Sequence, residues 1–521
     1  MLPRNRREFL ADVGRGMLVA GVGYATAIDL GLTTARAADG DDTLEFGARE
    51  PLVRLMQDTP PEKLLPLLVG KLQSGTELRE FVAAAALANA RTFGGEDYIG
   101  FHTMMALAPS FYMARELPTT EGPLPVLKVL YRNSRRIQDH GGHDSEVLHR
   151  ITLADRPNGE PASGAALLEA VRAKDGPRAE QTFARIAQTG ADNAFNELLI
   201  AVQDHSEVHR VVMPYRAWDL LEIVGRDHAH TLLRQSVRYC VQNESPKYTE
   251  SCKGGRDVLP GLLDQYRLLS RPLGTRLAED AWVAALAETI FRSTPEQAAD
   301  AVAVALGEGF APDAVGEAIS LAANQLVLRD AGRPAGQARP PEKPVGSIHG
   351  DSIGVHACDS ANAWRNMARV SNPRNTVACL ILGGFQVARD RQQRGGDFLN
   401  WQPYPTAEHR DHVRGMTAAE LLAEAEAAIR DNDQSRTCAA IERYSQLRQT
   451  ARPVFDLFLK YAISEDGALH AEKYYRTVSY EFAATRPAFR WRQLLALARV
   501  TASAYGHSAP GMAEAARLLQ S

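Results

Sequence analysis

The sequence predicts an all-α protein that arose by internal duplication. Most of the chain is rich in Ala, Leu, Glu, Arg and Gln, and these residues favour helices. Apolar residues recur at helical spacing, as in ALLEAVRA and ELLAEAEAAI, whereas the two-residue alternation typical of strands is scarce. Similar segments also recur along the chain, which is the sequence pattern of a helical-repeat architecture.

The internal similarity has the order A, B, A′, B′. Unit A begins at Thr59 with TPPEKLLPLLVGKLQ and resembles unit A′, which begins at Thr294 with TPEQAADAVAVALGE. Unit B begins at Gly164 and resembles unit B′, which begins at Thr417. The Thr-Pro pairs indicate helix starts, because the missing N–H of proline costs nothing in a first turn. The four units would form two similar halves, either as an open solenoid or as a compact closed array.

The first 37 residues have the pattern of a bacterial twin-arginine export signal. The sequence NRREFL contains Arg6 and Arg7, and a weakly apolar stretch follows that is too short for a stable membrane span. The small-residue sequence ARA before Ala38 is typical of a cleavage site. We therefore expect residues 1–37 to be removed and the protein to act in the periplasm or another extracytoplasmic space.

Removal of 37 residues from the 521-residue chain leaves 484, which is too long for one simple core. We expect a first helical half over residues 38–255 and a second half over 293–521, with a linker at 256–292. A Pro/Gly-rich insertion near 331–347 is expected to be a surface loop without a fixed helix or strand.

Composition excludes several classes of protein. The chain has a net charge of −4, and the signal holds five Arg against three acidic residues, so the mature protein carries −6. This mild acidity argues against nucleic-acid binding, and no apolar run of about 18 residues predicts a membrane span after cleavage. No Walker A, GxSxG or HExxH motif occurs. The five cysteines form no CxxC motif, and their pairing stays open between disulfides and buried thiols.

A histidine recurs at an equivalent place in each of the four units. It stands five positions after an acidic residue, and an apolar residue precedes it. The four pairs are Asp97 and His102, Asp204 and His209, Asp351 and His356, and Glu465 and His470. Units A and A′ match best, because Gly100 and Gly354 also correspond.

Equivalent histidines are a natural means of placing several ligands or proton-transfer groups around one point. Neutral imidazole binds iron, copper or zinc and also transfers protons near neutral pH, and the carboxylates could orient the rings by accepting their N–H groups. Alternatively, each histidine packs at a helix start that its acidic residue caps. We expect at least two of the four to face one cavity, with His102 and His356 as the expected pair.

Three histidine-containing segments resemble the questin oxidase-like family. They are GFHTMMALAPSFYMA, SIGVHACDSANAWRNMA and GALHAEKYYRTVSYEF. The resemblance implies a mostly helical protein with an oxygenase activity of the Baeyer–Villiger type. It also implies that His102, His356 and His470 are pocket residues.

Two functions are compatible with the sequence. The first is an exported oxidoreductase with a histidine-lined, metal-binding pocket for a small molecule. The second is a non-enzymatic helical-repeat scaffold of the cell envelope, which would bind a protein partner through its concave surface. A stoichiometric transition metal in the purified protein would favour the first function over the second.

Overall fold

The computed structural model describes residues 42–153, 162–246, 254–348, 350, 352–393 and 396–520. Within these residues the secondary structure consists of α-helices, short 3-10 turns and isolated β-bridges, so the all-α prediction is confirmed for the described part of the chain. None of the helices in these ranges combines the length and the apolar character that crossing a membrane requires. The export signal predicted at residues 1–37 lies outside the described residues.

The helices of the first half are connected mostly by short loops. They are α1 (Glu50–Asp58), α2 (Pro61–Gln73), α3 (Leu78–Phe93), α4 (Tyr98–Ala114), α5 (Pro123–His140), α6 (Gly164–Arg172), α7 (Gly176–Ala187), α8 (Ala191–Val202), α9 (Val208–Val224) and α10 (Ala229–Asn243).

Short loops also connect most helices of the second half. Its helices are α11 (Gly254–Asp257), α12 (Leu259–Gln265), α13 (Asp280–Arg292), α14 (Pro295–Gly307), α15 (Pro312–Arg329), α16 (Ile353–Val370), α17 (Pro373–Gln393), α18 (Ala407–Asp411), α19 (Ala418–Arg430), α20 (Gln434–Gln446), α21 (Arg452–Ser464), α22 (His470–Ala484), α23 (Trp491–Ala504) and α24 (Met512–Gln520).

The described residues divide into two compact units. Unit 1 takes the described parts of Met1–Phe111, Val129–Val202 and Met213–Thr249, and unit 2 takes those of Tyr112–Lys128, Gln203–Val212 and Glu250–Ser521. Two short segments from the first half of the chain therefore belong to unit 2. The segment 256–292, for which a linker was expected, carries α12 and α13 and also belongs to unit 2.

Local sequence explains where several helices begin. Thr294 caps α14 by accepting from the backbone N–H of Gln297 at 3.3 Å, while the Gln297 side chain accepts from the Thr294 N–H at 3.1 Å. Thr417 and Glu420 form the same reciprocal pair at the start of α19. In α2 the additional proline, Pro60, takes the capping position, so this helix starts without a side-chain cap.

Two long helices of unit 2 are buried on every side. All side chains from Gly354 to Ala368 in α16 and from Asn375 to Arg391 in α17 are buried. A helix without an exposed face normally carries apolar residues all round, but α16 also carries polar ones that need partners. Glu481 of α22 supplies one such partner, because its carboxylate accepts from Arg365 at 2.5 Å and from Asn362 at 2.8 Å.

The Pro/Gly-rich insertion near 331–347 is largely exposed and irregular. It contains one 3-10 turn, Ala335–Gln337, and an isolated bridge between Arg339 and Lys343. Gly332 donates its N–H to the Asp330 carboxylate at 2.8 Å, which ties the start of the insertion to the end of α15.

Candidate functional site

Three of the four histidines singled out in the sequence come together in unit 2. The ring centroids of His209 and His356 are 6.0 Å apart, and those of His356 and His470 are 5.7 Å apart. Both His356 and His470 are only 8% exposed. At these centroid separations the nearest atoms of neighbouring rings are close to van der Waals contact. His356 therefore lies in the middle of a row of three imidazoles.

Each of these three histidines stands in the first turn of its helix. His209 is the second residue of α9, His356 is the fourth residue of α16, and His470 is the first residue of α22. The start of α16 is set by Ser352, whose hydroxyl accepts from the N–H of Val355 at 3.3 Å. The row thus forms where three helix starts meet inside unit 2.

Glu207 holds His209 at one end of the row. Its carboxylate accepts from His209 Nδ1 at 2.8 Å, from the His209 backbone N–H at 2.9 Å and from the Arg210 backbone N–H at 3.0 Å. Burial by itself would raise the pKa of this carboxyl, but the charge of His209 and these hydrogen bonds together hold its pKa at about 2. Glu207 therefore fixes which nitrogen of His209 carries the proton.

The carboxylates chosen from the repeated spacing have other partners. Asp97 accepts from the N–H of Gly100 at 2.6 Å, which caps α4, and it also accepts from Arg136. Asp204 is paired with Arg256. The other two predicted carboxylates are those of Glu465 and Asp351. The Glu465 carboxylate accepts from two backbone N–H groups, at residues 506 and 507, and Asp351 lies outside the described residues.

His102, the fourth predicted histidine, belongs to unit 1. Its Nδ1 donates to the backbone carbonyl of Tyr98 at 2.6 Å, and its ring stacks on Phe101 with centroids 4.9 Å apart. His102 thus has an aromatic environment within its own unit, whereas the neighbours of His356 in unit 2 include His209 and His470.

The segment that leads to His209 is unusually polar for a buried stretch. Asp204, His205, Ser206 and Glu207 are consecutive and all buried. His205 Nε2 accepts from the Arg210 guanidinium at 2.7 Å, and burial together with the charge of Arg210 lowers the pKa of His205 to about 3. Buried polar groups of this kind depend on hydrogen bonds inside the protein, and Arg210 supplies one of them to His205.

A small cavity of about 30 Å³ lies beside His470, which is room for about one or two water molecules, so a larger molecule enters only if the wall moves. Small or apolar side chains form most of its wall, among them Val355, Ala462, Ala471, Leu497, Val500 and Ala504. The polar atoms of two further wall residues are already hydrogen bonded. The Tyr461 hydroxyl donates to Glu426, and the Glu465 carboxylate accepts from backbone N–H groups. Among the described residues, the main polar groups on this wall are therefore the imidazole of His470 and the hydroxyls of Tyr474 and Thr501.

Tyr474 stands one turn after His470 on α22 and is 1% exposed. Burial raises the pKa of Tyr474 well above its ordinary value, so the phenol keeps its proton. Its hydroxyl lies 4.0 Å from the sulfur of Cys358, which is a weak contact. Tyr474 can therefore donate a hydrogen bond beside His470.

The backbone that leads into His470 is left-handed over three consecutive residues. Gly467, Ala468 and Leu469 have φ angles of 51°, 47° and 64°. L residues avoid this region because Cβ approaches the following carbonyl, and such strain persists only where the surrounding structure holds it in place. Strained backbone of this kind is concentrated at functional sites, and here it directs a histidine toward a cavity.

Relief of this strain is expected to stabilise the protein. Ala468→Gly should raise the free energy of unfolding by about 0.5–1 kcal/mol. Glycine adopts a left-handed conformation without steric strain, and this relief of strain in the folded state exceeds the conformational entropy that glycine adds to the unfolded chain. Urea unfolding at neutral pH measures the change.

Ala423→Gly is the control for Ala468→Gly, since Ala423 is exposed in the middle of α19. This control should lower the free energy of unfolding by about 0.5–1 kcal/mol. A loss of similar size for Ala468→Gly would mean that the turn is not strained.

Metal-binding arrangements of His, Cys, Asp or Glu side chains, with three or more members, are not found in the described part of the chain. Cys358, Cys379 and Cys438 are buried free thiols, Cys240 is buried, and Cys252 lies outside the described residues. Burial raises the pKa values of Cys379 and Cys438 to about 12, so these thiols remain protonated at neutral pH. They act as small apolar side chains in the core.

No protein-family model, curated protein or solved structure matches this chain.

Proposed function

We propose that the protein is an enzyme in which His470 transfers a proton to or from a small, uncharged and largely apolar molecule. The observation that carries this proposal is the row of three histidines, of which His356 and His470 are buried and His470 borders the cavity. Histidine is the side chain best suited to proton transfer near neutral pH. The sequence resemblance, which named His356 and His470 as pocket residues, agrees with this location.

The cavity wall supports the choice of substrate class. It carries neither Lys nor Arg among the described residues, so it offers no charged partner for a phosphate or a carboxylate. Ala, Val and Leu side chains favour an apolar molecule, while His470 and Tyr474 can orient one polar group.

The row behind His470 supports a proton-transfer role. A proton taken up by His470 can pass toward His356 and His209, because the rings of neighbouring histidines lie close together. Glu207 orients His209 at the far end of the row through its 2.8 Å contact with Nδ1. The arrangement therefore favours a site that holds and returns a proton.

An oxidoreductase is the reaction class that we favour within this proposal. In the oxidation of an alcohol to a carbonyl compound, His470 would accept the hydroxyl proton, while an external acceptor, a quinone or dioxygen, takes the carbon-bound hydrogen together with both electrons; the proton on His470 then passes to the reduced acceptor. The resemblance to the questin oxidase-like family and the export signal, which is frequent on proteins that fold before transport, support this class. A transition metal bound by the histidines is the alternative that elemental analysis of the folded protein tests.

The test of the proposal is a turnover screen with the purified mature protein. Small uncharged alcohols are supplied together with dioxygen or a quinone, and consumption of both reactants is followed. Turnover that disappears when His470 is replaced supports the proposal. Binding of a protein partner at wild-type strength by the His470 variant, with no turnover in the screen, would favour the scaffold function instead.

We also propose that the chain is a duplication in the order A, B, A′, B′. The helices α2–α5 of unit A contain 13, 16, 17 and 18 residues, and α14–α17 of unit A′ contain 13, 18, 18 and 21. The helices α6–α10 and α19–α23 likewise follow one another in the same order, and α9 and α22 both begin near a histidine.

Two glycines support the duplication further. A Cβ on Gly100 would lie 2.5 Å from the ring of Phe93 at the end of α3, and one on Gly354 would lie 2.7 Å from the backbone of Val327 near the end of α15. Both glycines thus allow a histidine-bearing helix to approach the helix before it. An experimental structure in which α2–α5 fail to superpose on α14–α17 would contradict the duplication.

Export by the twin-arginine route completes the proposal, and it yields a separate prediction. Replacement of Arg6 and Arg7 together by Lys should leave uncleaved precursor in the cytoplasm, because the adjacent arginines are the recognised feature of the signal. Cell fractionation measures the distribution of the protein. A single exchange of Arg36 for Lys is the control and should leave export intact. Normal export of the double variant would show that the segment is not such a signal.

A further inference from the structure

A buried ion pair lies next to the histidine row without belonging to it. The ammonium of Lys128, on α5, is 2.5 Å from a carboxylate oxygen of Glu472, on α22, and both residues belong to unit 2. Their side chains are 1% and 0% exposed. Lys128 also donates to the backbone carbonyls of Ala462 at 2.8 Å and Glu465 at 2.5 Å. The ammonium of Lys128 therefore makes two hydrogen bonds to carbonyls and one ion pair with Glu472.

The contacts join two helix ends. Ala462 and Glu465 lie at the C-terminal end of α21, where the last carbonyls lack partners within the helix and favour a positive charge. Glu472 lies in the first turn of α22, where the free N–H groups favour a negative charge. The Lys128–Glu472 pair thus complements the C-terminus of one helix and the N-terminus of the next.

The junction between these helices is the left-handed turn that leads into His470. A second contact holds its other side, since the Glu465 carboxylate accepts from the backbone N–H groups of Gly506 at 2.9 Å and His507 at 2.7 Å. A turn with consecutive left-handed L residues persists only if its surroundings hold it. Lys128 is the side chain that binds both flanks of this turn.

We propose that Lys128 is a positioning residue, which closes the junction of α21 and α22 and thereby holds the turn Gly467–Leu469 and places His470 against the cavity. The functional meaning of this placement rests on the proposed function of His470. The structural role itself does not, because it follows from the hydrogen bonds of Lys128.

Hydrogen exchange in two variants tests the role of Lys128. Glu472→Gln removes the carboxylate charge but leaves Lys128 its two carbonyls and an amide oxygen as acceptors. Lys128→Met/Glu472→Gln also removes the ammonium of Lys128. The two variants therefore differ only in whether residue 128 can bind the carbonyls of Ala462 and Glu465. The backbone N–H of Asp466, which donates to His507 at 2.7 Å, and that of Leu469 report on the turn.

We expect these amides to exchange at least tenfold faster in the double variant than in Glu472→Gln, while α19 exchanges equally in both. Equal protection of Asp466 and Leu469 in the two variants would overturn the proposal. If the double variant does not fold, Lys128→Met/Glu472→Leu replaces both partners by apolar side chains and is compared with wild type by the same criterion. The measurement needs no substrate, so its failure would leave the function of His470 standing.

Discussion

Acidification from pH 7 to pH 4 is expected to lower the free energy of unfolding by about 3 kcal/mol, with His205 as the main cause. Burial and the neighbouring charge of Arg210 lower the pKa of His205 to about 3 in the folded state, against an ordinary value of 6.5. Below pH 6.5 the imidazole of His205 binds a proton in the unfolded chain, whereas in the folded chain it stays neutral down to about pH 3. Each pH unit in this range therefore removes about 1.4 kcal/mol of stability.

The sign of this effect is the same for Glu207, but its range is lower. The folded-state pKa of Glu207 is about 2, against an ordinary value of 4.5. Its stabilising contribution is complete above pH 4.5 and is lost as the pH falls toward 2. Between pH 6.5 and pH 4.5 the loss therefore comes from His205, and below pH 4.5 both groups contribute.

Urea unfolding of wild type and His205→Gln at pH 7 and pH 4 measures the contribution of His205. Glutamine places an amide oxygen near the position of Nε2, so it can still accept from Arg210, but it does not titrate. The stability lost by the variant between the two pH values should be smaller by about 2–3 kcal/mol. His412→Gln is the matched control, because His412 is exposed. An equal loss in wild type and His205→Gln would rule out this origin of the acid sensitivity.

Replacement of His470 by Asn is expected to lower kcat/KM by at least about a hundredfold on any substrate that the turnover screen identifies. Positioned proton transfer typically contributes a factor of this size or more. Asparagine retains a donor for the backbone carbonyl of Ala468, which His470 Nδ1 contacts at 3.1 Å, so the turn should survive. Steady-state kinetics and circular dichroism together show whether activity is lost while the helices remain.

Two further variants separate the chemical role of His470 from a role in folding. Glu207→Gln should lower kcat/KM by roughly tenfold, because it weakens the orientation of His209 without removing a ring. His412→Asn changes an exposed histidine of the same unit and should leave kcat/KM unchanged. A His470→Asn protein with kcat/KM within threefold of wild type would remove His470 from the reaction.

The histidines of the candidate site could be predicted from the sequence, but their contacts could not. The similar setting of His209, His356 and His470 was visible in the sequence, because each follows an acidic residue at the same spacing. The partner of His209 was not, since the spacing pointed to Asp204 whereas the carboxylate in contact is that of Glu207. A carboxylate two residues before a histidine at a helix start was the available signal for this contact.

The sequence alone determined the helical class and several of the helix starts. Helices depend on local periodicity and on caps such as Thr294 with Gln297 or Thr417 with Glu420, and both are readable within a few residues. The four-unit order and the export signal were also deduced at this level, and they stay predictions.

Only the tertiary structure decided which polar groups share an environment. Lys128 and Glu472 meet although they stand far apart in the chain, and nothing in the local pattern of either residue indicates the other. The same holds for the approach of His209 to His356 and His470. Side-chain pairing between distant helices depends on how whole helices pack, and the burial that makes such pairs chemically important arises only when that packing is complete.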